Sequence, residues 1–355
     1  MMSRLDSETY LKELDFVCGR DLPWGDLAGK TVAISGATGM IGSFLIDVLM
    51  RKDEHDGLDC HVLAIGRNKD KARGRLPYFG NPDFSFEKID VSEPDASLRG
   101  RADYVLHLAS ATHPKAYLTD PIGTIEGNIF GLRNLLSYSK DCGAILLFAS
   151  SVEVYGENRG DVERFKEDYC GYLDCNTVRA GYNEAKRVGE AMCQAWQAQE
   201  GVPVRVARLA RIYGPTLLPS DTKALSQFIH KALANEDVVL KSEGTQRYSY
   251  LHVADAASGL LHVLLKGGDG EAYNLADPSS DTTLRDLAEL VADVGGVNLI
   301  FDLSDTTEAA GYSKVTRALM DGLKARENLG WEAGWSLVRG IPETITILRE
   351  TGSYQ

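Results

Sequence analysis

Apolar residues in the first half of the chain come as short runs separated by amphipathic stretches. Residues 31–35 (Thr-Val-Ala-Ile-Ser) form a β-branched run that predicts a buried strand. The spacing of Ile41, Phe44, Leu45, Val48 and Leu49 predicts a helix that stops before Asp53 and Gly57. Further strands are expected at 61–65, 84–89, 104–108 and 144–150, and one more at 204–209. Apolar strands alternating with helices at this rhythm imply βαβ units with helices on both faces. The predicted fold class is α/β, a Rossmann-like doubly wound parallel sheet. Beyond 210 the texture changes. Helices at 222–234, 253–266 and 283–294 alternate with short strands at 238–241, 272–275 and 298–301, which predicts a smaller C-terminal α/β region. Residues 1–28 read as one or two short helices with an apolar stripe of Leu5, Leu11, Leu14 and Phe16.

Composition narrows the classes. The chain has 355 residues, 38 Lys+Arg and 51 Asp+Glu, a formal charge of −13. At 44% apolar and 25% charged it is an ordinary globular composition, long enough to bury a large core. The acidic balance argues against nucleic acid as a partner. Cys18, Cys60, Cys142, Cys170, Cys175 and Cys193 form no CxxC pair and have no histidines at zinc spacing. No metal is expected, and the thiols read as reduced, which predicts a cytoplasmic protein. The N-terminus is too acidic for a signal peptide, and no apolar run reaches the ~18 residues of a membrane span.

Candidate chemistry begins at Gly36-Ala37-Thr38-Gly39-Met40-Ile41-Gly42, which follows a strand and opens a helix. Glycines there let backbone N–H groups approach a pyrophosphate at the helix N-terminus. This makes residues 29–210 the dinucleotide-binding domain, leaving 1–28 as an N-terminal helical extension and 211–355 as mainly substrate-binding. An NAD enzyme commonly carries an acid at the end of the second strand. Here the segment is Ile65-Gly66-Arg67-Asn68-Lys69. Arg67 suits a 2′-phosphate and so NADP; as a solvated loop residue, or one stacked on adenine, it suits NAD. Both cofactors stay open. Asp90 and Val91, after the third strand, stand where adenine is contacted.

The fifth strand ends in Ser150-Ser151-Val152-Glu153, and Tyr182 and Lys186 follow at i and i+4 of a predicted helix. One helix face thus carries a phenol and an ammonium, and a nearby cation lowers a phenol's pKa so that it serves as a base. A Ser hydroxyl at the strand end can bond the same substrate oxygen.

With these residues the chain resembles the extended short-chain dehydrogenase/reductases, the nucleotide-sugar epimerase/dehydratase family, over about residues 30–345. The segments that carry the resemblance are His107-Leu108-Ala109-Ser110, Asn128, Arg208 ahead of Ile212-Tyr213-Gly214-Pro215, Gln246 to Asp255, and Leu329-Gly330-Trp331. Within the family it is most similar to UDP-glucuronate decarboxylases, through Ser151-Val152-Glu153-Val154-Tyr155-Gly156, Arg179 to Arg187, and Pro114, Tyr117 and Pro121 in register. The resemblance implies transient oxidation at sugar C4 by NAD or NADP, loss of carbon dioxide from a β-keto acid, and return of the hydride. Tyr182, Lys186, Ser151 and Glu153 would be catalytic. Leu108, Ala109, Ser110 and Asn128 would join the glycine turn around the cofactor. Tyr117, Arg179, Arg211, Arg247 and Arg317 would meet a nucleotide-diphosphate sugar. A homodimer through the helices near 122–140 and 182–199 is implied as well.

Two departures bear on the reaction. Arg211 stands where the family usually has Asn. Val152 stands where 4,6-dehydratases place an Asp acid, and a valine cannot protonate a leaving hydroxyl. A 4-epimerase needs no acid there and is the main alternative; a non-catalytic cofactor sensor would not be expected to keep Tyr182, Lys186 and Ser151 together. His107 is expected to pack beneath the cofactor loop, and His113 to lie near the nicotinamide side.

Overall fold

Apolar runs without polar alternation demand cover on both faces. In the computed structural model, which describes residues 3–94, 96–110, 112, 114–303 and 315–352, they receive it. The strands are β1 (Thr31–Ser35), β2 (His61–Gly66), β3 (Phe84–Lys88), β4 (Tyr104–His107), β5 (Ile145–Ser151), β6 (Val204–Leu209), β7 (Arg211–Tyr213), β8 (Val238–Leu240), β9 (Arg247–His252), β10 (Ala272–Leu275), β11 (Asp281–Thr283), β12 (Leu299–Phe301) and β13 (Arg317–Ala318). The helices are α1 (Glu8–Cys18), α2 (Met40–Asp56), α3 (Lys69–Arg75), α4 (Pro114–Thr119), α5 (Pro121–Cys142), α6 (Ala180–Glu200), α7 (Ala224–Leu233), α8 (Val253–Lys266), α9 (Leu284–Gly295), α10 (Leu323–Leu329) and α11 (Leu337–Thr351).

Among the described residues, a seven-stranded parallel sheet runs β10-β6-β5-β4-β1-β2-β3. The order reverses between β1 and β4, and a crevice opens beyond their carboxyl ends. A second sheet is built on β9, which pairs with β11, β13 and β7. No described helix is long and apolar enough to cross a membrane.

Three details differ from the sequence expectation. The strand at 272–275 does not belong with the C-terminal region; as β10 it pairs with β6 at the edge of the main sheet. It is brought there by α8, buried without interruption from Val253 to Leu264. A helix covered on all sides sits between layers, its buried polar Asp255, Ser258 and His262 hydrogen-bonded there. Second, α2 does not stop before Asp53 but runs to Asp56, capped by Gly57, with a Lys52–Asp56 ion pair along its last turn. Third, the buried face of α1 is Tyr10, Glu13, Leu14 and Val17; Leu5 lies outside the helix, and Leu11 and Phe16 are only partly covered. Positions 10, 13, 14 and 17 are spaced i, i+3, i+4 and i+7 and so fall on one side.

That N-terminal segment is locked to the main sheet's first helix. Asp47 of α2 is fully buried and accepts from Tyr10 Oη at 2.5 Å, Tyr78 Oη at 2.9 Å, Arg4 Nε at 2.6 Å and Arg4 Nη2 at 2.9 Å. Arg4 Nη1 also donates to the Arg75 carbonyl at 2.6 Å.

Candidate functional site

The crevice is a cavity of about 720 Å³. Its floor is the turn between β1 and α2. Gly36 has φ +74°, and a Cβ there would meet the Ala109 nitrogen at 2.8 Å. A Cβ on Gly42 would stand 2.4 Å from the Gly36 carbonyl oxygen. Both glycines are therefore required sterically, one by backbone conformation and one by helix–turn contact. No side chain caps the start of α2 at Gly39, so its first N–H groups are left for an anion at the cavity wall. These features fit a dinucleotide pyrophosphate.

The turn residues Gly36, Thr38, Gly39, Met40, Ile41 and Gly42 line one end of the cavity. Arg67, Asp90 and Val91 follow beyond β2 and β3, and Leu108, Ala109, Ser110 and Asn128 form the wall over β4 and α5. Arg67 is 80% exposed and reaches Asp90 at 3.6 Å. Partial burial works against ionisation of Asp90, but hydrogen bonds from Ser92 and the charge of Arg67 hold its carboxyl below its ordinary value. Ser110 Oγ donates to Asn128 Oδ1 at 2.9 Å, and Asn128 Nδ2 to the Thr124 carbonyl at 2.8 Å. His107 lies fully buried under this wall, its Nδ1 2.8 Å from Ser35 Oγ.

At the other end α6 delivers Tyr182 and Lys186, and β5 delivers Ser151. Burial raises the Tyr182 phenol above its ordinary value; a hydrogen bond with Ser151 and the charge of Arg179 draw it back, and Glu153 opposes them. The Lys186 ammonium donates to the Ala149 carbonyl at 2.9 Å and lies 5.8 Å from the Tyr182 ring centre. Burial pushes Lys186 down to about 7, against Glu190 and Cys193. Tyr117 stacks on Tyr182 with ring centres 4.9 Å apart, and the Arg179 guanidinium lies 4.9 Å from the Tyr117 ring.

Glu153 sits in a cage. Arg179 Nη2 donates to its Oε2 at 3.2 Å, and Asn183 Nδ2 donates to the same oxygen at 3.0 Å. Arg211 Nη2 stands 3.7 Å from Oε1, with its guanidinium 3.8 Å over Tyr248. One carboxylate therefore faces two guanidinium groups. Nε of both arginines is buried without a hydrogen-bond partner among the described residues. The cluster carries one surplus positive charge and spare donors, which suits an incoming anion.

Of the sequence candidates, Arg247 and Arg317 do not line the cavity. They are register partners where β13 meets β9, so they share a sheet face. Arg211 is the register partner of Tyr250 instead, three residues further along β9, and by alternation it belongs to the opposite face with Tyr248. His113 lies outside the described residues. Three contributors escaped the sequence reading. Asn183 was hidden between Tyr182 and the helix interior. Lys223 lines the cavity from the N-cap position of α7, with no motif to mark it. Glu190 follows Lys186 by four positions, and the helical period alone pointed to it.

A model of the NAD dependent epimerase/dehydratase family matches residues 32–276. The chain belongs to that family. Two similar relatives are UDP-glucuronic acid decarboxylase 1 of Xenopus tropicalis, 33% identical over 92% of this chain and 74% of the relative, and UDP-glucuronic acid decarboxylase 5 of Arabidopsis thaliana, 32% identical over 88% and 87%. Among solved structures, an epimerase from Methanothermobacter thermautotrophicus superposes with TM-score 0.79 at 20% identity, covering 92% of this chain and 94% of its own. UDP-glucuronic acid 4-epimerase from Bacillus cereus, solved with UDP-glucuronic acid and NAD, gives TM-score 0.75 at 21% identity, covering 90% and 99%. At these identities the superpositions speak for the epimerase/dehydratase fold.

Proposed function

We propose that this family member decarboxylates UDP-glucuronate with NAD. The observation that carries the reading is the cage of Arg179 and Arg211 around Glu153, adjoining Tyr182 through the Tyr117 stack. A surplus positive charge beside the phenol suits a sugar acid. The decarboxylase relatives support the same substrate class.

Bound NAD supplies the hydride acceptor for oxidation of C4 and the hydride donor for its return. The glycine turn and the α2 N-terminus hold its pyrophosphate, with Arg67, Asp90 and Val91 at the adenosine end. Tyr182 takes the proton of the C4 hydroxyl while Ser151 orients that hydroxyl. Lys186 keeps positive charge beside the phenol. The C4 ketone then lies β to the C5 carboxylate. The carboxylate carbon leaves as carbon dioxide, and the electron pair of the broken bond passes through C5 toward the ketone oxygen, where the Tyr182 hydroxyl donates a hydrogen bond to the enolate. A proton from water beside Glu153 then adds to C5 and restores the C4 ketone, and as the hydride returns to C4 Tyr182 gives its proton to the C4 oxygen. Arg179 and Arg211 hold the carboxylate beforehand, and Glu153 balances their charge. Val152, next to Glu153, offers no proton for loss of a hydroxyl, so 4,6-dehydration is disfavoured. Arg247 is kept for the nucleotide diphosphate and Arg317 for a phosphate or the sugar carboxylate, though neither lines the cavity.

Exposed Ile122, Ile125 and Phe130 of α5 and Val188 of α6 support a homodimer through these two helices. The described cysteines are free thiols, which supports a cytoplasmic location. We also retain a dinucleotide-binding unit built on the main sheet, with residues 211–355 mainly for the substrate.

The test is incubation with UDP-glucuronate and NAD. Carbon dioxide release with a UDP-pentose product is expected. An epimerised uronate that keeps its carboxyl group, or no reaction, overturns the assignment.

A further inference from the structure

Tyr182, Lys186 and Glu190 lie at i, i+4 and i+8 of α6, along one helix face. The first two line the cavity; Glu190 does not. Its Oε1 accepts from Ser150 Oγ at 2.5 Å and from Arg208 Nε at 3.0 Å, and its Oε2 from Arg208 Nη2 at 2.7 Å. Ser150 immediately precedes Ser151 on β5, and Arg208 belongs to β6. Arg208 Nη1 continues to Tyr155 Oη and to the Glu167 carbonyl, both at 2.8 Å. Tyr155 closes the short 3-10 turn that carries Glu153 and donates to Asn274 Oδ1 of β10 at 2.6 Å. A single carboxylate thus joins the helix of Tyr182 to the strand of Ser151 and, through Arg208, to the turn of Glu153.

Electrostatics points the same way. The Lys186 ammonium lies 4.7 Å from the Phe148 ring and bonds the Ala149 carbonyl, both on β5. The titratable groups facing it are Tyr182, Glu190 and Cys193 on its own helix and His107 on β4. Arg208 on β6 stands behind Glu190. Burial keeps the Cys193 thiol neutral, raised to about 12, and burial with the charge of Lys186 keeps His107 neutral, lowered to about 3. Glu190, ion-paired with Arg208, opposes the desolvation of Lys186.

We propose that Glu190 is a positioning residue of this site: it fixes the Ser151 strand end against the Tyr182–Lys186 helix face and sets a carboxylate on that face to favour the charged form of Lys186. The inference rests on Tyr182 and Lys186 being the proton-transfer pair of the reading above. Because Glu190 and Arg208 neutralise each other, their removal acts on Lys186 with opposite sign. Glu190→Gln leaves Arg208 unbalanced near the ammonium and favours loss of its proton. Arg208→Gln leaves Glu190 unbalanced and favours its retention.

The experiment is a pH titration of 13C-lysine resonances in the full chain without substrate, with the Lys186 signal assigned by Lys186→Met. The pH profile of carbon dioxide release from UDP-glucuronate with NAD is recorded on the same variants. The Lys186 midpoint should fall by about one pH unit in Glu190→Gln, the lower end of what a neighbouring opposite charge contributes. It should rise in Arg208→Gln, and the alkaline limb of kcat should follow each midpoint. A residue that only braced the fold would lower kcat at every pH and leave the midpoint in place, and that result overturns the proposal. If Arg208→Gln does not fold, the Glu190→Gln midpoint decides alone. Tyr182→Phe is measured in parallel. Turnover surviving in Tyr182→Phe condemns the proton-transfer reading, while the lysine titration still judges Glu190 separately.

Discussion

Arg211→Met tests whether the cage around Glu153 recognises a carboxylate. Methionine keeps an apolar stem over the Tyr248 ring and removes the charge. A hydrogen bond to a charged group contributes about 1.5–3 kcal/mol. The Arg211 side chain is 27% exposed, so solvent screens part of this, and the lower end, about 1.5–2 kcal/mol, is appropriate. That corresponds to about a 10–30-fold rise in KM for UDP-glucuronate, at about 1.4 kcal/mol per factor of ten. Arg179 and Asn183 still hold Glu153, so the fold and the site scaffold remain. The assay is steady-state carbon dioxide release, with UDP as a competitive inhibitor that lacks the carboxylate. UDP inhibition should change less than about twofold. Equal weakening of UDP and UDP-glucuronate would place Arg211 at the diphosphate and refute the carboxylate assignment.

Tyr182→Phe should cost about 10²–10⁴ in kcat, the usual contribution of a positioned acid–base group, with NAD affinity by fluorescence titration unchanged. Asp47→Ala strands Arg4 and two phenol hydroxyls in a buried setting, and urea unfolding should show a loss of about 3–5 kcal/mol, reduced when Arg4→Met is added. Single and double variants of equal stability would contradict a buried ion pair there. His107 and His252 are held neutral, each pushed down to about 3 by burial with a nearby cation, Lys186 and Arg339 respectively. The unfolded chain takes up these protons below about pH 6.5 and the folded chain does not, so stability should fall by up to about 1.4 kcal/mol per pH unit per histidine between about 6.5 and 3. Denaturation at pH 7.5 and 5.5 checks this, and His107→Asn should flatten the slope by one proton.

Much of this molecule is local in origin. The glycine turn was legible because the positive φ of Gly36 and the approach of Gly42 to the Gly36 carbonyl arise within the turn between β1 and α2, whereas the close approach of Ala109 to Gly36 comes from the segment after β4 and was not. Tyr182 and Lys186 were legible because the helical period places them together. The edge position of β10 was not, since a four-residue strand carries no mark of the sheet it joins; the long burial of α8 between layers decides it. The stripe read for α1 took in Leu5, which lies before the Ser7 cap, and Leu11 and Phe16, which are only partly covered because packing chose the neighbouring face of Tyr10, Glu13, Leu14 and Val17.

By itself the sequence determined a parallel doubly wound sheet, a glycine turn between its first strand and the following helix, and a phenol and ammonium on one helix face. These follow from periodicity and backbone sterics, which act over short separations. Only the tertiary structure decided which charges meet. Arg179, Asn183 and Arg211 converge on Glu153, Ser150 and Arg208 converge on Glu190, and Arg247 and Arg317 pair elsewhere, across separations of 18 to 58 residues for the pairs Arg208–Glu190 and Arg211–Glu153. Charges interact through space and not along the chain, so only the packed sheet and helices could bring them together.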